Sequence, residues 1–484
     1  MKLDFFIAVF KNKIFWYLTS RYMVLGIQFL ASIFLAVKLG AYYFGIWSFI
    51  LLLVNIGSSC NWGIGSAATI LLVQNKEDQS LCSRYTFNSL LLVLLTFIPP
   101  VLIAGYDRII GIPVLAKYHL GNLIYAVTAI VLLQYVCNFF INVFRVKNRI
   151  VEIIIQQSLW PVCMLLAVFF AQGKNLLTLL TVSYIAALLI PVIIFISKKQ
   201  VCFTGKPEKS LMKEIAKKGF FLFLYNACFL FIVLTTKLQV SYFYSVQEFG
   251  YFAFAFALAQ GIMLLLDSLI FLLFPKMIDM LKGNDAQKII AGIDLLRKNY
   301  ILPLHLLFYT VLAVSPVFFY FLPQYAQSYR PFVLILFTLL MYSHCFGYNS
   351  YLLAQNKEKE FAGIVFCALI LNNILIFLLI KSGCSMELSI LGTLITYVFY
   401  SIGVNCYALF CIGERNFKTY IKKNMPLTLA VFDISTLFTM IFFPEISKYF
   451  VLILLLFSIV HRSGIAELLQ GVKTLIKKEQ IINV

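Results

Sequence analysis

The chain has 484 residues, 62% of them hydrophobic and 12% charged, with a mean hydropathy of +0.93 and a formal net charge of +19. Soluble domains carry roughly 25% charged residues, and a water-facing surface of this composition would expose apolar patches that aggregate. A soluble enzyme and a single-anchor receptor are excluded, as is an outer-membrane barrel, whose strands alternate polar and apolar residues; an all-α polytopic membrane protein remains.

A bilayer span takes about 20 apolar residues. Apolar runs broken by charged clusters predict about 14 transmembrane helices, over 15–37, 43–70, 86–105, 122–143, 153–171, 176–196, 219–240, 250–274, 300–321, 331–353, 361–380, 388–410, 426–443 and 449–461. The short basic start, Met1 to Lys13, leads straight into the first run, so no cleavable signal peptide is expected. With the N-terminus placed in the cytoplasm, 31 of the 39 Lys and Arg fall on the inner side. The other 8 are Lys38, Arg108, Lys117, Lys174, Lys237, Arg330, Lys381 and Lys448. This positive-inside bias orients the bundle with both termini cytoplasmic, and it accounts for the net charge without a nucleic-acid partner.

Outer loops are short, the longest being roughly 106–121, which leaves little room for an external catalytic domain. The inner loop from Ser197 to Lys218 carries seven lysines and divides the chain near its middle; its stretch 210–218 has the pattern of an interfacial amphipathic helix. The predicted organisation is an N-terminal lobe over 1–200 (spans 1–6), a basic linker over 201–218, a C-terminal lobe over 219–410 (spans 7–12), and two last spans with a tail over 411–484. A weak repeat supports the division. Phe44-Gly45-Ile46-Trp47 enters span 2, and Phe249-Gly250-Tyr251-Phe252 enters span 8 at the corresponding point. Parallel six-helix repeats with a polar site where they meet are a recurrent transporter plan. The eleven cysteines form no C-x-x-C pair and fit neither a zinc nor a disulfide framework, so they read as small packing residues.

Four stretches carry a resemblance. They are Ser20-Arg21 through Gly26 with Leu39-Gly40 and Phe44 to Ser48; Asn61-Trp62-Gly63-Ile64-Gly65-Ser66-Ala67; Phe249-Gly250-Tyr251 with Phe274-Pro275-Lys276-Met277; and Leu322 to Tyr329 with Leu352 to Lys357. In this order and spacing the sequence resembles the Wzx-like O-antigen and polysaccharide flippases of the multidrug/oligosaccharidyl-lipid/polysaccharide exporter superfamily. The resemblance weakens beyond residue 380, and an Asp-Arg pair frequent late in span 7 of the family is Thr236-Lys237 here. It implies two six-helix lobes forming a V around a central cavity, plus two C-terminal helices. The implied partner is an undecaprenyl-diphosphate-linked oligosaccharide, moved from the cytoplasmic to the periplasmic leaflet of a bacterial inner membrane, with other polysaccharide-assembly proteins as further partners. No cofactor is implied beyond a coupling proton or sodium ion.

Such a substrate needs a wet, cationic path through about 30 Å of hydrocarbon. Ionisable residues inside spans are costly and usually face an interior, which singles out Arg21, Lys237 and Lys38 as candidate ligands of the diphosphate. An arginine fork suits phosphate; snorkelling to the headgroups is the competing reading for Arg21 and Lys237, and an interfacial position for Lys38. Asp267 lies in an unbroken apolar run, roughly 12 Å from the inner surface. It reads as a gate partner for Arg21, as a proton or sodium coupling site, or as a protonated packing residue. Gln28, Asn55 and Gln260 are candidate cavity-lining residues, as are His344 and Asn349 in span 10 and His305 in span 9; helix–helix hydrogen bonding is the alternative for each. Asp433 in span 13 has no assigned role. No phosphate loop and no metal-ligand spacing is present, so ATP hydrolysis and a metal centre are not expected. The rival functions are a cation-coupled multidrug exporter of the same superfamily and a membrane polysaccharide polymerase or ligase.

Overall fold

The computed structural model describes residues 13–75, 77–147, 149–197, 205–283, 285–413, 427–443 and 449–467, with the side chains of 13–22, 221–222, 225–226, 264–276 and 427 outside that description. Among the described residues the secondary structure is helical throughout, with no strand. The helices are α1 (Lys13–Ser59), α2 (Ile64–Gln74), α3 (Gln79–Leu95), α4 (Ile98–Ile110), α5 (Pro113–Lys117), α6 (Leu123–Val146), α7 (Ile150–Phe170), α8 (Gly173–Ser197) and α9 (Lys209–Phe243). They continue as α10 (Val246–Leu281), α11 (Ala286–Tyr320), α12 (Tyr329–Ser343), α13 (Tyr348–Ala354), α14 (Glu358–Lys381), α15 (Met386–Ile412), α16 (Leu427–Phe442) and α17 (Phe450–Val460). Among the described residues eight helices are long and apolar enough to cross a bilayer, or nine if the bent pair 323–343 and Tyr348–Ala354 is one span; four shorter apolar helices accompany them. Phe169, Phe170 and Tyr320 are 74%, 81% and 81% exposed. Such faces belong in hydrocarbon, where an apolar side chain needs no cover. The chain is a multi-pass membrane protein.

The breaks follow local chemistry. The expected turn between spans 1 and 2 is a single residue: Gly40 adopts φ 69, ψ 165 inside α1, and helix resumes at once. Between α1 and α2, Gly63 takes a left-handed conformation with φ 68, and the Asn61 side chain accepts its N–H at 3.0 Å. Ser245 and Glu248 start α10 as a capping box: the Glu248 carboxylate accepts from the Ser245 N–H at 2.8 Å, and the Ser245 hydroxyl accepts from the Glu248 N–H at 3.2 Å. The stretch 210–218 is helical and forms the opening turns of the continuous α9. Nothing before Gly219 interrupts its hydrogen-bond ladder, and Gly219 itself is helical.

The chain divides into two compact units, one within residues 10–253 and the other within 254–484. In the first, Trp47, Trp160 and Tyr184 form an aromatic centre, with Trp160 stacked on Tyr184 at 4.0 Å. Tyr135 donates to the Gly57 carbonyl at 2.8 Å and ties α6 to α1. In the second, α12 lies against α15 and is buried almost all round (Phe332 to Leu340). Arg330 pairs with Glu387 at 3.2 Å and donates to the Ile441 carbonyl at 2.7 Å, joining α12, α15 and α16.

Candidate functional site

The side chains of Arg21 and Asp267 lie outside the described residues; their backbones sit on α1 and α10. Lys38 is exposed two residues before the Gly40 break, and Gln28, Asn55 and Gln260 are exposed on α1 and α10. Among the described residues no hydrogen bond joins these four side chains to one another. Lys237 is half-buried on α9. Asn349 is half-buried and turned to its own chain, accepting the Ser350 N–H at 2.7 Å. His344 is buried.

In the first unit the described part of the basic linker, from residue 205, is docked. Asn88 of α3 is fully buried; its amide donates to the Lys206 carbonyl at 3.2 Å and its oxygen accepts the Glu208 N–H at 2.7 Å. Arg84 forks onto the Glu208 carboxylate, with Nε to Oε1 at 2.6 Å, and this hydrogen bond holds the Glu208 carboxyl below its ordinary range. Tyr85 donates to Glu214 at 2.9 Å, and Lys218 to Gln74 at 3.1 Å. At the other end of α9, Lys117 donates to the carbonyls of Ser241 (2.7 Å), Tyr242 (3.0 Å) and Tyr244, closing the helix terminus with a cation where its dipole is negative. Tyr118 adds a bond to the Ser241 carbonyl at 3.0 Å.

The densest buried polar cluster described lies in the second unit. Span 10 is broken between α12 and α13, with a 45° bend and Gly347 at φ 87. A break at membrane depth frees carbonyls that must find donors inside the protein. Arg297 of α11, 7% exposed, donates to the carbonyls of His344 and Phe346 and lies over the Tyr348 ring at 4.9 Å; Asn405 of α15 also donates to the His344 carbonyl at 3.2 Å. Two turns along α11, His305 is fully buried. Its Nδ1 donates to the Ile301 carbonyl at 2.7 Å, and its Nε2 faces Asp433 Oδ2 of α16 at 3.1 Å. Tyr309, one turn further, donates to Asp433 Oδ1 at 2.7 Å. The His344 ring meets His305 edge-on at 5.3 Å, and one nitrogen or oxygen from each of His305, His344 and Asp433 falls within 4.8 Å of the others.

Three of these residues were visible in the sequence without their connection: His305 and His344 as polar residues in spans 9 and 10, and Asp433 with no role. The convergence of three groups of metal-binding type was not expected, because the absence of a ligand-spacing motif says nothing about residues 128 apart. Arg297 was hidden among the inner-side cations. The signal that could have found the site is His305 and Tyr309 at i and i+4, on one face of the predominantly apolar stretch of α11 after Ile301.

No protein-family model matches the sequence, and no curated protein matches it. Solved structures do match. The lipid II flippase MurJ, in an inward closed conformation, superposes with a TM-score of 0.68 at 12% identity, covering 93% of this chain and 99% of that one. A multidrug resistance MATE family transporter of the MOP superfamily, in an inward-facing conformation, gives 0.61 at 11% identity over 81% of this chain and 94% of that one. MATE in its straight conformation gives 0.52 at 11% identity, over 82% and 93%. The chain thus has the polytopic all-helical fold of these transporters.

Proposed function

We propose that this protein is a flippase that carries an undecaprenyl-diphosphate-linked oligosaccharide, the repeat unit of O-antigen or another surface polysaccharide, across a bacterial inner membrane by alternating access. The observation that carries this reading is the extent of the fold likeness to the lipid II flippase, 93% of this chain against 81% for the MATE transporter. The four sequence stretches that resemble polysaccharide flippases supply the substrate class. In this reading Arg21, Lys237 and Lys38 provide positive charge for the diphosphate, the inner-side lysines keep both termini cytoplasmic, and no bond is made or broken by the chain.

A multidrug exporter is the second reading, favoured by the TM-score of 0.61 to the MATE family transporter. One experiment separates them. Purified protein in liposomes is given a fluorescent undecaprenyl-diphosphate oligosaccharide on one side, and efflux of a cationic dye is followed in parallel vesicles. Translocation of the glycolipid without dye efflux is the expected result. Dye efflux without glycolipid movement would establish the exporter, and movement of neither would remove both.

A further inference from the structure

The geometry of the His305–Asp433 contact sets its hydrogen-bonding requirement. A carbonyl oxygen only accepts, so Nδ1 of His305, at 2.7 Å from the Ile301 carbonyl, carries a hydrogen. Tyr309 donates to Asp433 Oδ1, which leaves Oδ2 facing Nε2 at 3.1 Å. With Nδ1 already protonated, Nε2 and Oδ2 would present lone pairs to each other unless one of them holds a second proton. A hydrogen bond between Nε2 and Oδ2 therefore requires one proton more than a neutral imidazole and a carboxylate hold.

We propose that His305 and Asp433 form a single-proton binding site whose occupancy clamps α11 to α16, and which serves as the coupling site of the transporter. The coupling clause rests on the transport reading above; the proton site itself does not. Loss of the proton leaves a buried carboxylate with Tyr309 as its remaining donor and a repelling lone pair 3.1 Å away, so the two helices are released. Charge decides between a proton and a divalent ion, although the His344 ring brings a third nitrogen near. With a proton the pair is neutral, whereas a divalent ion over one carboxylate would leave net positive charge in a hydrocarbon-embedded unit.

The other ionisable groups around the pair are few. Tyr309 and Arg297 come from α11, His344 from the α12–α13 break and His461 from the end of α17. Arg297 is turned to the carbonyls of His344 and Phe346, and His461 packs on Phe457 at 4.6 Å. Neither gives Asp433 a counter-charge.

Proton uptake by the full-length protein in nanodiscs, counted with a pH dye between about pH 5 and about pH 9, tests the site. His305→Gln and Asp433→Asn should each remove one proton per chain, and the double variant should also remove one, because the proton is shared. Two protons lost in the double variant, or none in either single variant, would overturn the proposal. Tyr309→Phe, which leaves both partners in place, covers the case in which the other variants do not fold. Without the donor on Oδ1 the pair should still hold its one proton per chain, and loss of that proton in Tyr309→Phe counts against the site. Zn²⁺ alone is the metal probe; one equivalent bound by the wild type and lost in Asp433→Asn would replace the proton with a metal. In liposomes, an imposed proton gradient should accelerate glycolipid translocation by the wild type and leave the rate of Asp433→Asn unchanged. A shared proton lost from the variants, in a protein that moves no glycolipid, would keep the site and remove the transport reading.

Discussion

Gly45 and Gly250 meet backbone to backbone. A methyl group on Gly45 would enter the Val246 carbonyl, and one on Gly250 would enter the Ala41 carbonyl. The two glycines of the Phe-Gly repeat are thus each other's packing partners, and the small residue lets the opening turns of α10 lie directly on α1. Gly45→Ala and Gly250→Ala should each lower stability by about 1–3 kcal/mol, as overpacking does, and the double variant should cost less than the sum. Gly26→Ala, where a Cβ meets nothing within 4 Å, is the control and should be neutral or stabilising. Thermal unfolding in detergent, read by size-exclusion fluorescence, checks all four.

Arg297 holds the broken span together. Arg297→Ala strands the carbonyls of His344 and Phe346 and should cost about 1.5–3 kcal/mol, the range for hydrogen bonds made by a charged group. Arg297→Lys should recover less than half of this, because an ammonium cannot lie flat over Tyr348 as the guanidinium does. The same unfolding assay reads the effect. A full recovery with lysine would mean that charge alone suffices.

The Lys117 ammonium closes the end of α9 through three carbonyls. Lys117→Met keeps the length of the side chain and removes the donors, and should destabilise by about 1–3 kcal/mol. Tyr118→Phe removes one neutral bond and should cost about 1 kcal/mol. Hydrogen exchange at 240–246 should rise in the first variant more than in the second.

Docking of the linker should depend on acid. The Glu208 carboxyl is held below its unfolded value by the Arg84 hydrogen bond, so the contact contributes fully above the ordinary carboxylate range, about 4.3. The contribution is lost as pH falls through the depressed folded value. Hydrogen exchange across 205–212, corrected for its intrinsic pH dependence, should therefore increase on acidification in the wild type. Glu208→Gln should show the increased exchange already at neutral pH. Equal protection in both proteins at neutral pH would sink this account.

Hydropathy made the helices legible, because lipid selects for unbroken apolar runs whatever their packing. It merged or divided them less well. Gly40 and the Ser59–Ile64 junction are breaks of a few residues with almost no change in polarity. The spacing of Phe44-Gly45 and Phe249-Gly250 was visible, but not that the two glycines touch. The positive-inside rule counts a cation by its place in the sequence, so Arg297 passed as one more inner-side charge while being buried under span 10. His305, Tyr309 and Asp433 escaped for another reason: a contact between side chains 128 residues apart leaves no periodicity to read. Arg21 and Asp267, the residues the sequence favoured most, have side chains outside the described structure, and their roles stand as proposals.

The glycine contact between α1 and α10 has a counterpart between Gly63 and Gly219: a Cβ on Gly63 would strike the Gly219 carbonyl, and one on Gly219 would lie 2.8 Å from the Trp62 carbonyl. Each pair is flanked by bulky rings, Phe44 and Phe249 at one, Trp62 and Phe220 at the other. Turning a helix about its long axis by a single position, about 100°, would drive one of those rings into a gap that has no room for a methyl. Rolling is thereby forbidden at these seams, and the helices meeting there can only part or glide.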